Sequence, residues 1–465
     1  MIVKFLNPSR TYPKGLLDKS KIRLTFSFTS IIILESSENS GKSKMENIMI
    51  IKRDFYLNQL INHQNDGFIK IISGLRRSGK SYLMFDLFAP YLEEKAVKPD
   101  HIISLQLDTK DGEKYRNPDV CNEYVKSLIK DKDIYYLLLD EVQMMEDFES
   151  VLNGFLRIRN LDVYVSGSNS RFLSSDIITE FRGRGFEIKV NPLSFSEFYA
   201  AKGLSWDDAW AEYSVYGGMP ALFRFNNDND KIKYLQDLFK ETYIKDIVAR
   251  NNIQNSEEME ELLSIIASNI GSFTNPQKLA NTFKSKKNLN LSAPTVKQYL
   301  DYLQDAFLVN KVMRYDIKGK NYISTPSKYY FSDIGLRNAK IDFRQQEETH
   351  IMENIIYNEL KIRGYQVDIG EIEINEKGTD GKNKEKKVEF DFVVNQGSKR
   401  YYIQSAYDLP TPEKWAQEEK SLLNIRDSFK KIVITKGIKQ PYYNENGIMI
   451  IGLRDFLLNP KSLEF

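Results

Sequence analysis

The segment Gly74-Leu-Arg-Arg-Ser-Gly-Lys-Ser81 constrains this chain more than any other, because a loop of that glycine spacing ending in Gly-Lys-Ser belongs between a buried strand and a helix. Both flanks have the required character. Residues 68–73 are an apolar, β-branched run that predicts a buried strand, and residues 81–88 continue as a helix. Gly74 and Gly79 let the backbone turn tightly, so that the N–H groups of the loop, through Leu75, Arg76, Arg77 and Ser78, face phosphate oxygens at the positive end of the helix dipole. Lys80 is expected to reach the β- and γ-phosphates, and the Ser81 hydroxyl to bind Mg²⁺. The expected ligands are ATP and Mg²⁺. A second Gly-Lys-Ser, within Asn39-Ser-Gly-Lys-Ser43, lacks the first glycine and leads into Lys44-Met45-Glu46 instead of an apolar helix.

The roughly hundred residues after the loop supply the remaining parts of such a site. Strands are predicted over 101–108, 133–141, 162–166 and 186–190, alternating with helical stretches, which is the βαβ pattern of a parallel α/β sheet. The third of the five strands, counting the one before the loop, ends in Asp140 and Glu141. Asp140 is expected to hold Mg²⁺ through water, and Glu141 to orient or deprotonate the attacking water. After the fourth comes Gly167-Ser-Asn-Ser170, where Ser168 or Asn169 would sense the γ-phosphate at a strand's carboxyl end. Phe181-Arg-Gly-Arg-Gly185 then offers Arg182 and Arg184 as sources of charge for the transition state of the same or a neighbouring subunit, against the alternative of surface ion pairs.

Composition narrows the class. At 465 residues the chain suits about three domains on a prior of roughly 150 residues each. With 41% hydrophobic and 28% charged residues it reads as a soluble cytoplasmic protein, and 66 basic against 64 acidic residues leave no global field for nucleic acid. One cysteine excludes an internal disulfide, three histidines offer no metal-ligand spacing, and no apolar run approaches the roughly 18 residues of a membrane span. Residues 1–44 match neither a signal peptide nor a capped helix and are expected to be disordered or a mis-assigned start, with a short β-rich extension as the alternative.

Beyond residue 226 the pattern becomes helical, then mixed. Met259, Leu262, Leu263 and Ile266 form one stripe; Val296, Tyr299, Leu300 and Leu303 form another. Two helices, near 275–283 and after Ser292, followed by a hairpin-like stretch at 312–331, predict a winged helix, a fold that serves DNA with Lys297, Lys318 and Lys320 near the backbone and serves protein contacts equally well. From about 345 the order is helix, three strands, helix, strand, with a polar loop over 376–387. Glu389 and Asp391 alternate onto one polar strand face, which favours solvated acids.

Taken in order, Gly-Leu-Arg-Arg-Ser-Gly-Lys-Ser, Leu-Asp-Glu-Val-Gln, Ser-Gly-Ser-Asn-Ser, Arg-Gly-Arg-Gly, Pro192-Leu-Ser-Phe-Ser-Glu-Phe198 and Tyr216-Gly-Gly-Met-Pro220 resemble a large prokaryotic family of AAA+ ATPases. The resemblance covers nearly the whole chain beyond residue 44. It implies an α/β P-loop AAA+ domain over 45–225, a helical and winged-helix domain over 226–342, and a restriction-endonuclease-like α/β domain over 343–465. It also implies kinship with the signalling branch of P-loop ATPases, in which the proline of Gly218-Met-Pro220 packs near the adenine. In the last domain Glu353, Asp391 and Gln404 fall on the positions of a nuclease metal site, but the lysine position is Ala406, with Lys414 or Lys420 as substitutes. The expected function is a slow ATPase switch, able to form a homo-oligomer, that controls modules binding DNA or a protein partner; the alternatives are an ATP-gated, metal-dependent DNA nuclease and a winged-helix DNA-binding regulator.

Overall fold

The computed structural model describes residues 32–34, 47–167, 183–287, 291–344, 347–377 and 383–465. Its first half is a five-stranded, wholly parallel sheet made of β1 (Ile69–Ser73), β2 (Ile102–Gln106), β3 (Tyr135–Asp140), β4 (Leu161–Ser166) and β5 (Gly185–Lys189), in the spatial order β2-β3-β4-β1-β5. Every residue of β1, β3 and β4 is buried, which explains why these strands read as continuous apolar runs. Alternate side chains feed two cores. Ile69, Ile71, Leu137, Leu139, Val163 and Val165 pack with the helices Pro118–Leu128 and Phe148–Phe155. Ile72, Leu138, Tyr164 and Ile188 pack on the other face with the helix Asp54–Asn62 and the helical segment that starts at Lys80. A three-layer α/β sandwich results.

The second half is an eight-stranded sheet. Its strands are β6 (Val309–Asp316), β7 (Asn321–Phe331), β8 (Gln366–Lys377), β9 (Asn383–Gln396), β10 (Lys399–Ala406), β11 (Lys430–Thr435), β12 (Tyr442–Tyr443) and β13 (Met449–Gly452), in the order β12-β13-β11-β10-β9-β8-β6-β7. The helices Pro276–Lys287 and Ala293–Asp305 precede the β6/β7 hairpin as expected. The hairpin does not stand alone, because β6 pairs in parallel with β8. A boundary at 342/343 therefore cuts through one sheet. The stretch 376–387 also departs from expectation: its described residues, 376–377 and 383–387, pair within β8 and β9 and extend the hairpin.

One hydrophobic cluster runs from Ile51 and Leu75 through the helices Phe195–Lys202 and Ser256–Ser268 to Ile434 and Leu463, joining the two halves. Of the first 44 residues only 32–34 are described, paired antiparallel with 47–49. No described helix is long and apolar enough to cross a membrane.

Candidate nucleotide site

The loop after β1 owes its shape to two left-handed glycines. Gly74 sits at φ 131, and a Cβ there would lie 2.1 Å from the Val190 carbonyl oxygen; Gly79 sits at φ 99. Arg77, at φ 63, accepts a conformation costly to a side-chain-bearing residue, a strain that clusters at ligand sites. Lys80 is 4% exposed, and its ammonium donates to the carbonyls of Gly74 and Leu75 at 3.1 Å each. Burial pushes its pKa down, while Glu141 and Asp140 pull it up. The Ser78 hydroxyl is buried without a hydrogen-bond partner among the described residues, a deficit of about 1–3 kcal/mol that an oxygen-rich ligand would remove.

Asp140, at the end of β3, is buried and accepts hydrogen bonds from the Ser166 and Ser81 hydroxyls. Burial, with Glu141 adding to it, pushes its pKa up to about 6. Glu141 turns the chain at φ 53; its N–H donates to Ser166 Oγ at 3.2 Å and its carboxylate accepts from Gln143. Asp108, just past β2, is also raised, first by burial and then by Glu141. Asp108, Asp140 and Glu141 thus share a field at the carboxyl ends of neighbouring strands, beside Ser81. Hard oxygen donors with raised pKa values suit Mg²⁺, and glycine N–H groups with a buried lysine suit phosphates, so the residues fit the expected pair. Asp108 and Ser166 were missed in the sequence; Asp108 follows and Ser166 ends a strand adjacent to β3, a signal that needs the strand order.

Other elements hold the loop from outside. Arg53, 2% exposed, donates to the Ser78 carbonyl (3.1 Å), the Asn191 carbonyl (2.7 Å) and Glu197 Oε1 (2.9 Å). Arg76 pairs with Asp246, and the Tyr243 hydroxyl donates to the Arg76 carbonyl at 2.8 Å, so the helical segment after Asp228 closes over the loop. A Cβ built on Gly79 would come within 3.9 Å of Pro220 Cγ, which brings the proline of Gly218-Met-Pro220 to the loop. Just before it, the Gly218 N–H donates to Asp333 Oδ2 at 2.7 Å, and a Cβ on Gly217 would lie 2.4 Å from Asp333 Oδ1. Asp333 also caps the helix Ile334–Lys340.

Asn169 and Arg182 lie outside the described residues. Arg184 is exposed, and its carbonyl accepts from Ile69 N at the start of β1. The phosphate loop follows the far end of that five-residue strand, about 16 Å away at a strand's rise. Arg184 therefore does not reach the phosphates of its own loop.

Of the expected C-terminal site, Glu353 and Asp391 meet and Gln404 does not join them. Lys328, from β7, lies 3.0 Å from Glu353, 2.7 Å from Glu389 and 3.8 Å from Asp391. Tyr330 donates to Glu353, and the Ser405 N–H donates to Asp391 Oδ2 at 2.8 Å. Burial, then Glu353, raises the Asp391 pKa; Lys328 is raised by the three carboxylates against its own desolvation. Of the solvated polar face expected for Glu389 and Asp391, Asp391 is in fact largely covered while Glu389 stays 32% exposed, and the cation beside them is Lys328, not Lys414 or Lys420. Gln404 instead donates to Glu418 at 2.8 Å. Elsewhere His101 Nε2 comes 3.4 Å from Asp131 beside Asp133, a grouping that spacing did not reveal, with Lys98 3.0 Å from Asp133.

Comparison with known proteins agrees with the loop chemistry. Residues 66–199 match the AAA domain model, and residues 207–347 match a domain of unknown function, DUF8612. The chain thus carries an AAA-type P-loop domain. An uncharacterized protein of Haemophilus influenzae is 32% identical over 418 residues, covering 88% of this chain and 99% of that protein, and the chain belongs to its family. An uncharacterized protein of Methanocaldococcus jannaschii is 25% identical over 444 residues, covering 91% of each. Among solved structures, the Walker-type ATPase of Pyrococcus abyssi aligns with 14% identity and a TM-score of 0.43, over 63% of this chain and 96% of that one. The Aeropyrum pernix ORC1 protein in complex with DNA aligns with 12% identity and a TM-score of 0.27, over 63% and 93%. At that overlap neither bears on what this chain does.

Proposed function

We propose that the chain is an ATP-hydrolysing switch in which the nucleotide governs how the C-terminal sheet and its helices are presented to a DNA or protein partner. The observation that carries this reading is the adjacency of Pro220 to Gly79 together with the hydrogen bond from Gly218 to Asp333, a route by which a shift of the loop on binding or losing a γ-phosphate would reach the cap of the helix Ile334–Lys340. Gly74 to Ser81 would hold the phosphates, Ser81 and Asp140 the Mg²⁺, and Glu141 the proton of the attacking water; the metal would neutralise the charge developing on the transferred phosphoryl group. Lys80→Ala should abolish ATP binding in calorimetry while leaving the circular dichroism unchanged. Hydrogen exchange around 216–220 and 333–340 should respond to ATP in the wild type and not in the variant. Unchanged affinity in Lys80→Ala would refute the site, and unchanged exchange in the wild type would refute the switch.

A second reading, an ATP-gated nuclease, draws on the Glu353, Asp391 and Lys328 cluster. It is the weaker of the two, because an ammonium already sits among the acids where a metal would bind. Plasmid cleavage with Mg²⁺ or Mn²⁺ that is lost in Asp391→Ala would promote it.

A further inference from the structure

Away from the nucleotide loop, a cavity of about 180 Å³ opens between the two halves of the molecule. The parallel sheet contributes Lys189 and Asn191 from the end of β5; the second half contributes Asn310 from β6 and Asn358 and Lys361 from the helix Glu348–Ile362. Two ammonium groups thus face one space. Among the described residues neither has a carboxylate within ion-pair distance: Lys189 donates only to Asn310 Oδ1, at 3.3 Å, and Glu187, the nearest acid on its strand, accepts from Ser73 at 2.7 Å. Glu187 and Asp368 act on Lys189 and Lys361 respectively, but burial outweighs them and lowers the pKa of both lysines, and Lys361 lowers that of Lys189 further. The amides are oriented by their neighbours: Asn358 donates to the carbonyls of Phe331 (3.0 Å) and Ser332 (3.3 Å), and Asn191 to the Tyr56 hydroxyl (3.3 Å). Lys189 lies deeper and Lys361 at the exposed mouth; with no counter-ion in contact, the deeper charge in a pocket framed by fixed amides costs stability until an anion enters.

We propose that this cavity is a binding site for a doubly charged oxyanion, inorganic phosphate or the phosphate group of a small monoester, held by Lys189 and Lys361. The volume decides the size of the ligand. Pockets for drug-sized molecules run to about 300–1,000 Å³, and at about 180 Å³ this one suits a small phosphate-bearing molecule. Phosphate near pH 7 carries close to two negative charges, which matches the two ammonium groups, and lysine is a point-charge phosphate ligand that needs no fork geometry. The position gives the site a consequence. The Asn191 carbonyl accepts from Arg53, which also holds the Ser78 carbonyl, and Asn358 holds the backbone next to Asp333. A bound anion would clamp the two halves at their seam, on a path touching the nucleotide loop from one side and its proline-bearing turn from the other.

The test uses the full chain with Lys80→Ala, so that the nucleotide loop takes up no phosphate, titrated at constant ionic strength with inorganic phosphate and, separately, with a sugar phosphate. Saturable binding is expected in calorimetry, at least roughly tenfold weaker in the additional variant Lys361→Gln, as befits loss of one charged hydrogen bond. Tighter binding of one of the two probes identifies the source. Without phosphate, Lys361→Gln should unfold at the same or a higher temperature than its parent, since it relieves repulsion; with phosphate, the parent should gain more. Absence of saturable binding in the Lys80→Ala chain, or equal binding in Lys361→Gln, would overturn the proposal, as would a lower midpoint for Lys361→Gln without phosphate, because the lysine would then be a structural element and not a ligand.

Discussion

Lys328→Met removes the only cation within 4 Å of Glu353, Glu389 and Asp391 among the described residues, and its cost is set by the burial of what remains. The lysine side chain is 7% exposed, Glu353 6% and Asp391 13%, so the orphaned carboxylates stay in a poorly solvated space. Removing one partner of a buried pair costs about 3–5 kcal/mol. Proton uptake limits the loss, since Asp391 and Glu389 are already raised and each pKa unit is worth about 1.4 kcal/mol. Carboxyl groups whose pKa is higher folded than unfolded bind protons more tightly in the folded state, so their penalty grows as pH rises through the interval between the two values. Without Lys328 the interval widens. A loss of about 3 kcal/mol is expected at pH 7.5 and a smaller one at pH 5.5. Urea unfolding tracked by fluorescence of Trp415, which packs beside this sheet, measures it, with Trp206 and Trp210 replaced by Phe in both chains under comparison. A variant within about 1 kcal/mol of its parent at pH 7.5, or a loss independent of pH, would refute the idea that this ammonium stands in for a metal.

Glu141→Gln should keep nucleotide affinity and lower turnover by about 10²–10⁴-fold, read by phosphate release beside calorimetry, because the amide keeps the shape and cannot take a proton. Arg184→Ala should slow hydrolysis only through a neighbouring subunit; mixing it with Glu141→Gln should then restore activity, and a mixture as inactive as its parts would reduce Arg184 to a surface charge. Gly74→Ala should abolish ATP binding in calorimetry, as its Cβ would sit 2.1 Å from the Val190 oxygen on a backbone at φ 131. Asp333 is buried with its pKa pushed up to about 6, chiefly by desolvation, so its contribution is largest when protonated. Relative to Asp333→Asn, the wild type should lose about 3 kcal/mol of stability as pH rises from below 4 to above 6, measured by urea unfolding across that range; a flat difference would mean the carboxyl is not desolvated as placed.

The features legible in the chain alone are the local ones. The spacing of Gly74, Gly79, Lys80 and Ser81, the apolar runs that became β1 to β5, and the Asp140-Glu141 pair at a strand end are written in a few contiguous residues each, and backbone sterics, side-chain alternation and helix-end chemistry then leave one way to use them. Which distant segments meet was settled by the packing of the whole molecule. Arg53 reaches Asn191 across 138 residues of chain. Lys328 enters a cluster whose acids come from a helix and from β9, so a site that looked short of a cation holds one from a distant strand. The β6/β7 hairpin, legible as a hairpin, was not legible as an edge of the C-terminal sheet, because the β6 to β8 pairing depends on how the intervening helices pack. A single sequence records the preference of each segment. It does not record which partner will satisfy a segment's exposed edge or buried charge, because that choice is made by the summed burial and hydrogen bonding of the whole chain.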